Sequence, residues 1–152
     1  MTFKHSPEEA RKMLVDALRS GEYKQAKGAL RKDDGFCCLG VSCDVFLEAE
    51  GVGAWYERTS RSHLRGLVWR FKSGQIGEGA FLTDEVRQWL GFHSKDGELN
   101  PVGRNYGSLR NPYESNPSNL THLNDRTHLN DRPLAFVEIA DRIEAGAVRL
   151  VD

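Results

Sequence analysis

The sequence contains no apolar run long enough to cross a bilayer; its longest, such as LGVSCDVFL, are short and interrupted by polar residues. Nor is there a signal pattern at the start, because MTFKHSPEEARK carries charges where a signal peptide needs an apolar stretch. A cytoplasmic protein without a membrane partner is expected. Charge of one sign is also lacking: 21 basic side chains balance 22 acidic ones, a formal net charge of -1. The chain as a whole therefore has no bulk attraction for a phosphate backbone, and nucleic acid is not an expected partner. Cysteine is scarce and crowded, with Cys37, Cys38 and Cys43 inside seven positions. Disulfides between such near neighbours are strained, which favours reduced thiols. No second Cys or His pair follows at zinc-finger spacing, so neither a metal nor another cofactor is expected. P-loop, dinucleotide-binding glycine fingerprint, His-Glu-x-x-His and paired catalytic carboxylates are all missing.

What is present fits one domain spanning residues 1–152, long enough to bury about two thirds of the surface of its unfolded chain. Ser6-Pro7-Glu8-Glu9 supplies an N-cap, a proline at the first helical position and a capping-box Glu. Ala10, Met13, Leu14, Ala17 and Leu18 then form one stripe at helical spacing, stopped by Gly21. A second helix is expected from Cys38 to Glu50, closed by Gly51, and a third, capped by Thr83, carries Val86, Trp89 and Leu90. Phe136, Ile139, Ala140 and Ile143 mark a fourth. Tyr23 to Leu30 reads as a brief strand leading to a turn at Asp33-Asp34-Gly35, the alternation of Leu67, Trp69 and Phe71 as another, and Val148, Leu150 and Val151 as a terminal one. The fold class is α+β, with four helices and three or four short strands. Residues 93–132 form a polar loop region, of which 93–119 is rich in Gly, Asn, Ser and Pro.

Within that region THLNDRTHLNDR, residues 121–132, writes one hexapeptide twice. Slippage duplication accounts for a copy that repeats Thr, Leu and Arg as well as the chemically useful residues. A paired-histidine metal site would need a strand, which puts His122 and His128 on one face; the Asn-Asp-Arg content favours turns instead. Two constellations carry possible chemistry. Cys37 or Cys38 at a helix N-terminus, His122 or His128, and Asn124 or Asn130 follow the order nucleophile, base, orienting amide of a cysteine hydrolase, although His and Asn stand unusually close. Alternatively, Tyr23, Gln25, Lys27 and Arg31 share strand parity, so one face would present two cations and an amide. With aromatics such as Trp55, Tyr56, Trp69 and Tyr106, such a face would hold a base by stacking and a phosphate by charge. Asn130 and Asp131, or Asn124 and Asp125, precede the last helix and would cap it or take ribose hydroxyls.

LRSGEYKQAKGALRKDDGFCCLGVSCDVF near the front, LTDEVRQWLGF with Asn100-Pro101 in the middle, and LTHLND followed by AFVEIADRIE resemble a group of small uncharacterised proteins encoded largely by bacteriophages. These look like a wider family with an early Cys-Leu-Gly and a late Asn-Asp segment; that pattern has one Leu-Asn-Asp segment where this chain has two. The resemblance spans most of the chain and implies a phage context, in which small proteins counter host defences by withdrawing nucleotide signals. The expected function is thus non-catalytic sequestration of a nucleotide-derived small molecule, such as a cyclic nucleotide or an ADP-ribose derivative, by a homo-oligomer in the host cytoplasm. Tyr23, Gln25, Lys27, Arg31, Trp55, Tyr106, Asn130 and Asp131 are the expected ligand-binding set. The alternatives are the cysteine hydrolase and a module that blocks a host enzyme through loop 93–119.

Overall fold

The start of the second helix sets the plan of the molecule. In the computed structural model, which describes residues 2–58, 67–100, 118–125 and 133–152, Cys37 is the N-cap of a helix over Cys38–Glu50, and its sulfur accepts from the Gly40 backbone N–H at 3.3 Å. Apart from Asp44, Leu47, Glu48 and Ala49, the residues of this helix are buried, as expected for a helix that is apolar almost all round. Gly40 is essential to that burial: a Cβ there would collide with the carbonyl of Leu30, so only glycine lets the two backbones approach.

The other elements pack around this helix. In chain order they are α1 (Pro7–Arg19), β1 (Lys24–Gln25), β2 (Arg31–Lys32), β3 (Gly35–Phe36), α2 (Cys38–Glu50), β4 (Ala54–Arg58), β5 (Val68–Lys72), β6 (Gly77–Glu78), α3 (Asp84–Leu90), α4 (Leu120–Asp125) and α5 (Phe136–Glu144). The expected capping of α1 is present in full: Glu9 N–H donates to Ser6 Oγ, and Ser6 N–H to the Glu9 carboxylate. Thr83 caps α3 as expected. The last helix differs, because α5 begins after Ala135, whose N–H donates to Glu138 Oε1 at 3.3 Å; neither Asn124 nor Asp125 caps it. Arg19 joins α1 to α5 through Asp141 and Glu144.

The described strands form one mixed sheet in the order β1-β3-β2-β5-β4, with β6 beside β5. Six strands replace the three or four expected, and most are two residues long. The single strand expected over Tyr23–Leu30 is cut short because the chain turns at Gly28, whose φ of 82° only glycine adopts freely, before β2 begins. Val148 and Leu150 make isolated bridges to Leu99 and Phe92 in place of a terminal strand. Leu120–Asp125, where turns were expected, is the short helix α4.

One face of the sheet lies on α2. The Phe46 ring meets Phe71 at 6.4 Å and Trp89 at 5.4 Å, edge to face. Fully buried side chains such as these contribute about 1.5–3 kcal/mol each in area removed from water. Glu50, at the end of α2, ties the N-terminal segment and α3 to this core. Its buried carboxylate accepts from the Lys4 and His5 backbone, His5 Nδ1 and Trp89 Nε1, the last at 2.8 Å. Desolvation pushes this carboxyl up, but the donors, Lys4 N–H foremost, outweigh it and hold it below the ordinary carboxylate value. The result is one compact α+β domain.

Candidate functional site

Two polar clusters stand on the α2 side of the sheet, beside the start of that helix. The first joins the two landmark segments noted in the sequence. Leu123 and Asn124 are fully buried on α4. Asn124 Oδ1 accepts from Gln25 Nε2 at 3.0 Å and from the Cys38 N–H at 3.2 Å. Its amide nitrogen donates to the Ala26 carbonyl and to Asp125 Oδ1, both at 2.8 Å. Gln25 Nε2 also donates to the Leu134 carbonyl at 2.8 Å, and Asp125 Oδ2 accepts from the Gly28 N–H at 3.2 Å. The early Cys-Leu-Gly and the late Leu-Asn-Asp segments are therefore two halves of one joint. Asn124 uses both donors and two acceptor positions on protein groups, which is what a buried amide requires.

The thiols beside this joint are held as thiols. Burial pushes Cys37 up to about 12, the N–H groups of Gly40 and Leu39 offsetting only part of the shift. Cys38 is raised well above its ordinary value by burial, then by the charges of Cys37 and Asp125, and its Sγ donates to the Leu120 carbonyl at 3.6 Å. Cys43 is likewise buried and raised. A hydrolase nucleophile needs thiolate, and here desolvation outweighs the helix N-terminus. His122 lies on the helix α4, so it does not have the strand setting that a paired-histidine site requires; its backbone N–H donates to Asn119 Oδ1 at 2.7 Å. His128, Asn130 and Asp131 lie outside the described residues, as does Tyr106.

The second cluster has donors left unmatched among the described residues. Arg31 stands opposite Phe36 on one side and Trp69 on the other. Directly opposed strand residues share a face, so all three project toward α2. The guanidinium carbon lies 4.3 Å from the Trp69 ring centroid, 5.1 Å from Phe36 and 5.6 Å from Trp55. Phe36 in turn meets Tyr23 at 5.2 Å and Trp55 at 5.8 Å, edge to face. Asp44, on the half-buried side of α2, accepts from Tyr23 Oη at 2.7 Å and from Trp55 Nε1 at 3.0 Å, fixing both rings. Desolvation and then Asp44 raise the Tyr23 hydroxyl well above its ordinary value, so it stays a donor. Two buried donors in this cage, Arg31 Nε and Trp69 Nε1, have no hydrogen-bond acceptor among the described residues. Each such orphan costs about 1–3 kcal/mol unless something accepts from it.

Of the expected ligand-binding residues, then, Tyr23, Arg31 and Trp55 converge. Gln25 shares their face of the sheet but is spent on Asn124, and Lys27 leaves it because the strand ends before it. Phe36 and Asp44 escaped the sequence reading. Phe36 becomes part of the site only through cross-strand register, and Asp44 only through the rotation of α2; neither signal is present in a strand-parity pattern.

Set against known families, the chain belongs to the family defined by a domain of unknown function, DUF8296, whose model matches residues 7–147. That span contains both clusters. No curated protein and no solved structure gives a match.

Proposed function

We infer that this protein binds and holds an anionic, nucleotide-derived small molecule at the Arg31 cage and releases it unchanged. The observation that carries this reading is the pair of buried donors, Arg31 Nε and Trp69 Nε1, without acceptors among the described residues and beside three aromatic rings. Stacking on the rings fixes the guanidinium plane before a ligand arrives, and the planar fork then offers an anion two parallel N–H bonds at little further entropic cost. The rings of Tyr23, Phe36 and Trp55 offer apolar surface to a base. Buried, protonated thiols beside the closed Asn124 joint support binding without turnover.

The resemblance to phage proteins supplies the biological setting. The ligand is a host immune signal, a cyclic nucleotide or an ADP-ribose derivative, sequestered in the host cytoplasm by a homo-oligomer of this chain. Incubating the protein with a mixed panel of these compounds, followed by mass spectrometry of the filtrate and of heat-released material, tests the reading. A compound depleted from the filtrate and recovered intact on heating is the expected result. Conversion to a product would replace it with the cysteine hydrolase. A panel left untouched would favour a protein partner, with loop 93–119 as the surface to delete.

A further inference from the structure

The sheet sorts charge between its faces in a way the net charge conceals. Register places Lys24 and Lys32 opposite Gly35, Lys32 and Arg58 opposite Val68, Arg70 opposite Tyr56, and Lys72 opposite Ala54 and Gly77. All these residues share the face turned away from α2. Among the described strand positions that face carries five cations and no acid, whereas Glu57 and Glu78 fall on the other face, opposite Trp69 and Phe71. The acids of the β2–β3 turn are engaged. Asp33 accepts from the Leu67 N–H at 3.0 Å, and Asp34 pairs with Lys24 at 3.3 Å, an exposed contact of little strength.

The shape of the face matches its charge. Lys24, Arg58 and Lys72 are exposed, and Tyr56 is 39% exposed among them. A Cβ at Gly77 would collide with the Tyr56 hydroxyl, and one at Gly79 would touch Arg70 Cγ at 3.4 Å, so both side chains extend across the sheet instead of standing off it. Lys24, Lys32 and Arg58 sit two strands apart in one row, about 10 Å between neighbours at ordinary strand spacing. At the Lys24 end the row opens into a cavity of about 390 Å³ lined by Lys24, Lys27 and Lys32 with Asp33 and Asp34.

We propose that this outer face binds single-stranded nucleic acid, with phosphates on Lys24, Lys32, Arg58, Arg70 and Lys72 and a base stacked on Tyr56. An aromatic ring set among cations on an open sheet takes unstacked bases, which a duplex keeps buried. An anionic membrane would call for apolar side chains reaching beyond the cations, and the strand residues between them are Gly35, Ala54, Val68 and Gly77. The site lies on the opposite side of the sheet from the Arg31 cage, and neither requires the other.

Fluorescence anisotropy of a labelled oligothymidylate tests the proposal. With five phosphates engaged and a salt exponent of about -0.7 per phosphate, affinity falls about 130-fold between about 50 and 200 mM salt. Replacing both Arg58→Gln and Lys72→Gln, two exposed positions, lowers the salt exponent by about 1.4. Tyr56→Ala weakens binding about tenfold or more while Tyr56→Phe does not. Arg31→Lys leaves oligomer binding unchanged, and circular dichroism confirms that each variant keeps its fold. Absent or salt-insensitive binding would overturn the proposal. So would equal affinity for a duplex, capture of phosphatidylserine vesicles without the oligomer, or an unaltered salt exponent in the double variant.

Discussion

The Asn124 joint and the Arg31 cage lie on one face of one sheet and use similar material, a polar side chain inserted among apolar neighbours. They differ in how their hydrogen bonds close. Around Asn124 donors and acceptors are matched: Gln25, Cys38 and Ala26 all find partners, and the joint ties α4 to β1 and the start of α2. Around Arg31 the stacking is complete but two buried donors have no acceptor among the described residues. A matched cluster stabilises the fold and has nothing left to offer a ligand; an unmatched one is costly until a ligand completes it.

The largest expected effect comes from opening the closed cluster. Asn124→Ala leaves the buried Cys38 N–H and the half-buried Ala26 carbonyl without the Asn124 partner and should cost about 3–5 kcal/mol in urea unfolding. A change under about 1 kcal/mol would mean that the joint is not a structural hub. Next comes the chemistry of the neighbouring thiols. Alkylation of all three cysteines near neutral pH should run at least about 100-fold slower in the native protein than in denaturant, because the buried thiols react only on opening. One fast cysteine would revive the nucleophile. Arg31→Lys, which removes the planar fork but keeps the charge, should weaken ligand binding about 10- to 100-fold with little change in melting temperature.

A smaller effect separates both clusters from the Glu50 latch. Its folded-state pKa is depressed, so the stabilisation is full above the unfolded-state carboxylate value of about 4.3 and declines as pH falls below it. Melting temperatures of the wild type and Glu50→Gln should therefore differ at neutral pH and converge toward strongly acid pH. The smallest effect belongs to the repeat. Deleting residues 121–126 or 127–132 gives the same chain, which keeps one copy to supply Leu123 and Asn124 to the joint. Stability and binding should stay within about 0.5 kcal/mol of the wild type, because chain-closure entropy changes only slowly with the number of intervening residues. Loss of binding in a folded deletion protein would show that both copies act.

The contrast between the clusters also marks what the sequence displayed. α1, α2, α3 and α5 were legible because their signals are local: Ser6 and Thr83 cap, Gly51 stops, and the apolar spacing is regular; α4, six residues long with turn-favouring Asn and Asp, was not. Of the sheet, β5 was legible in the alternation of Leu67, Trp69 and Phe71, whereas strands of two residues have no periodicity and depend on turns at Gly28 and Asp33 for their pairing. Tyr23, Arg31 and Trp55 were legible as chemistry-bearing types, but Lys27 was wrongly placed with them by a strand parity that ends after Gln25. Asn124 looked like a catalytic or ligand-binding candidate because sequence shows what a side chain can donate and accept, not whether neighbours already satisfy it.

Proton–nitrogen correlation spectra recorded during titration with a bound member of the nucleotide panel would compare the two clusters in one experiment, because Arg Nε–H, Trp indole N–H and Asn and Gln side-chain amides are all visible. The Arg31 Nε–H and Trp69 Nε1–H signals should shift together and saturate while the Asn124 and Gln25 amides stay in place. Shifts confined to the Asn124 and Gln25 amides, with Arg31 and Trp69 unmoved at saturation, would contradict the assignment of the open cage as the binding site.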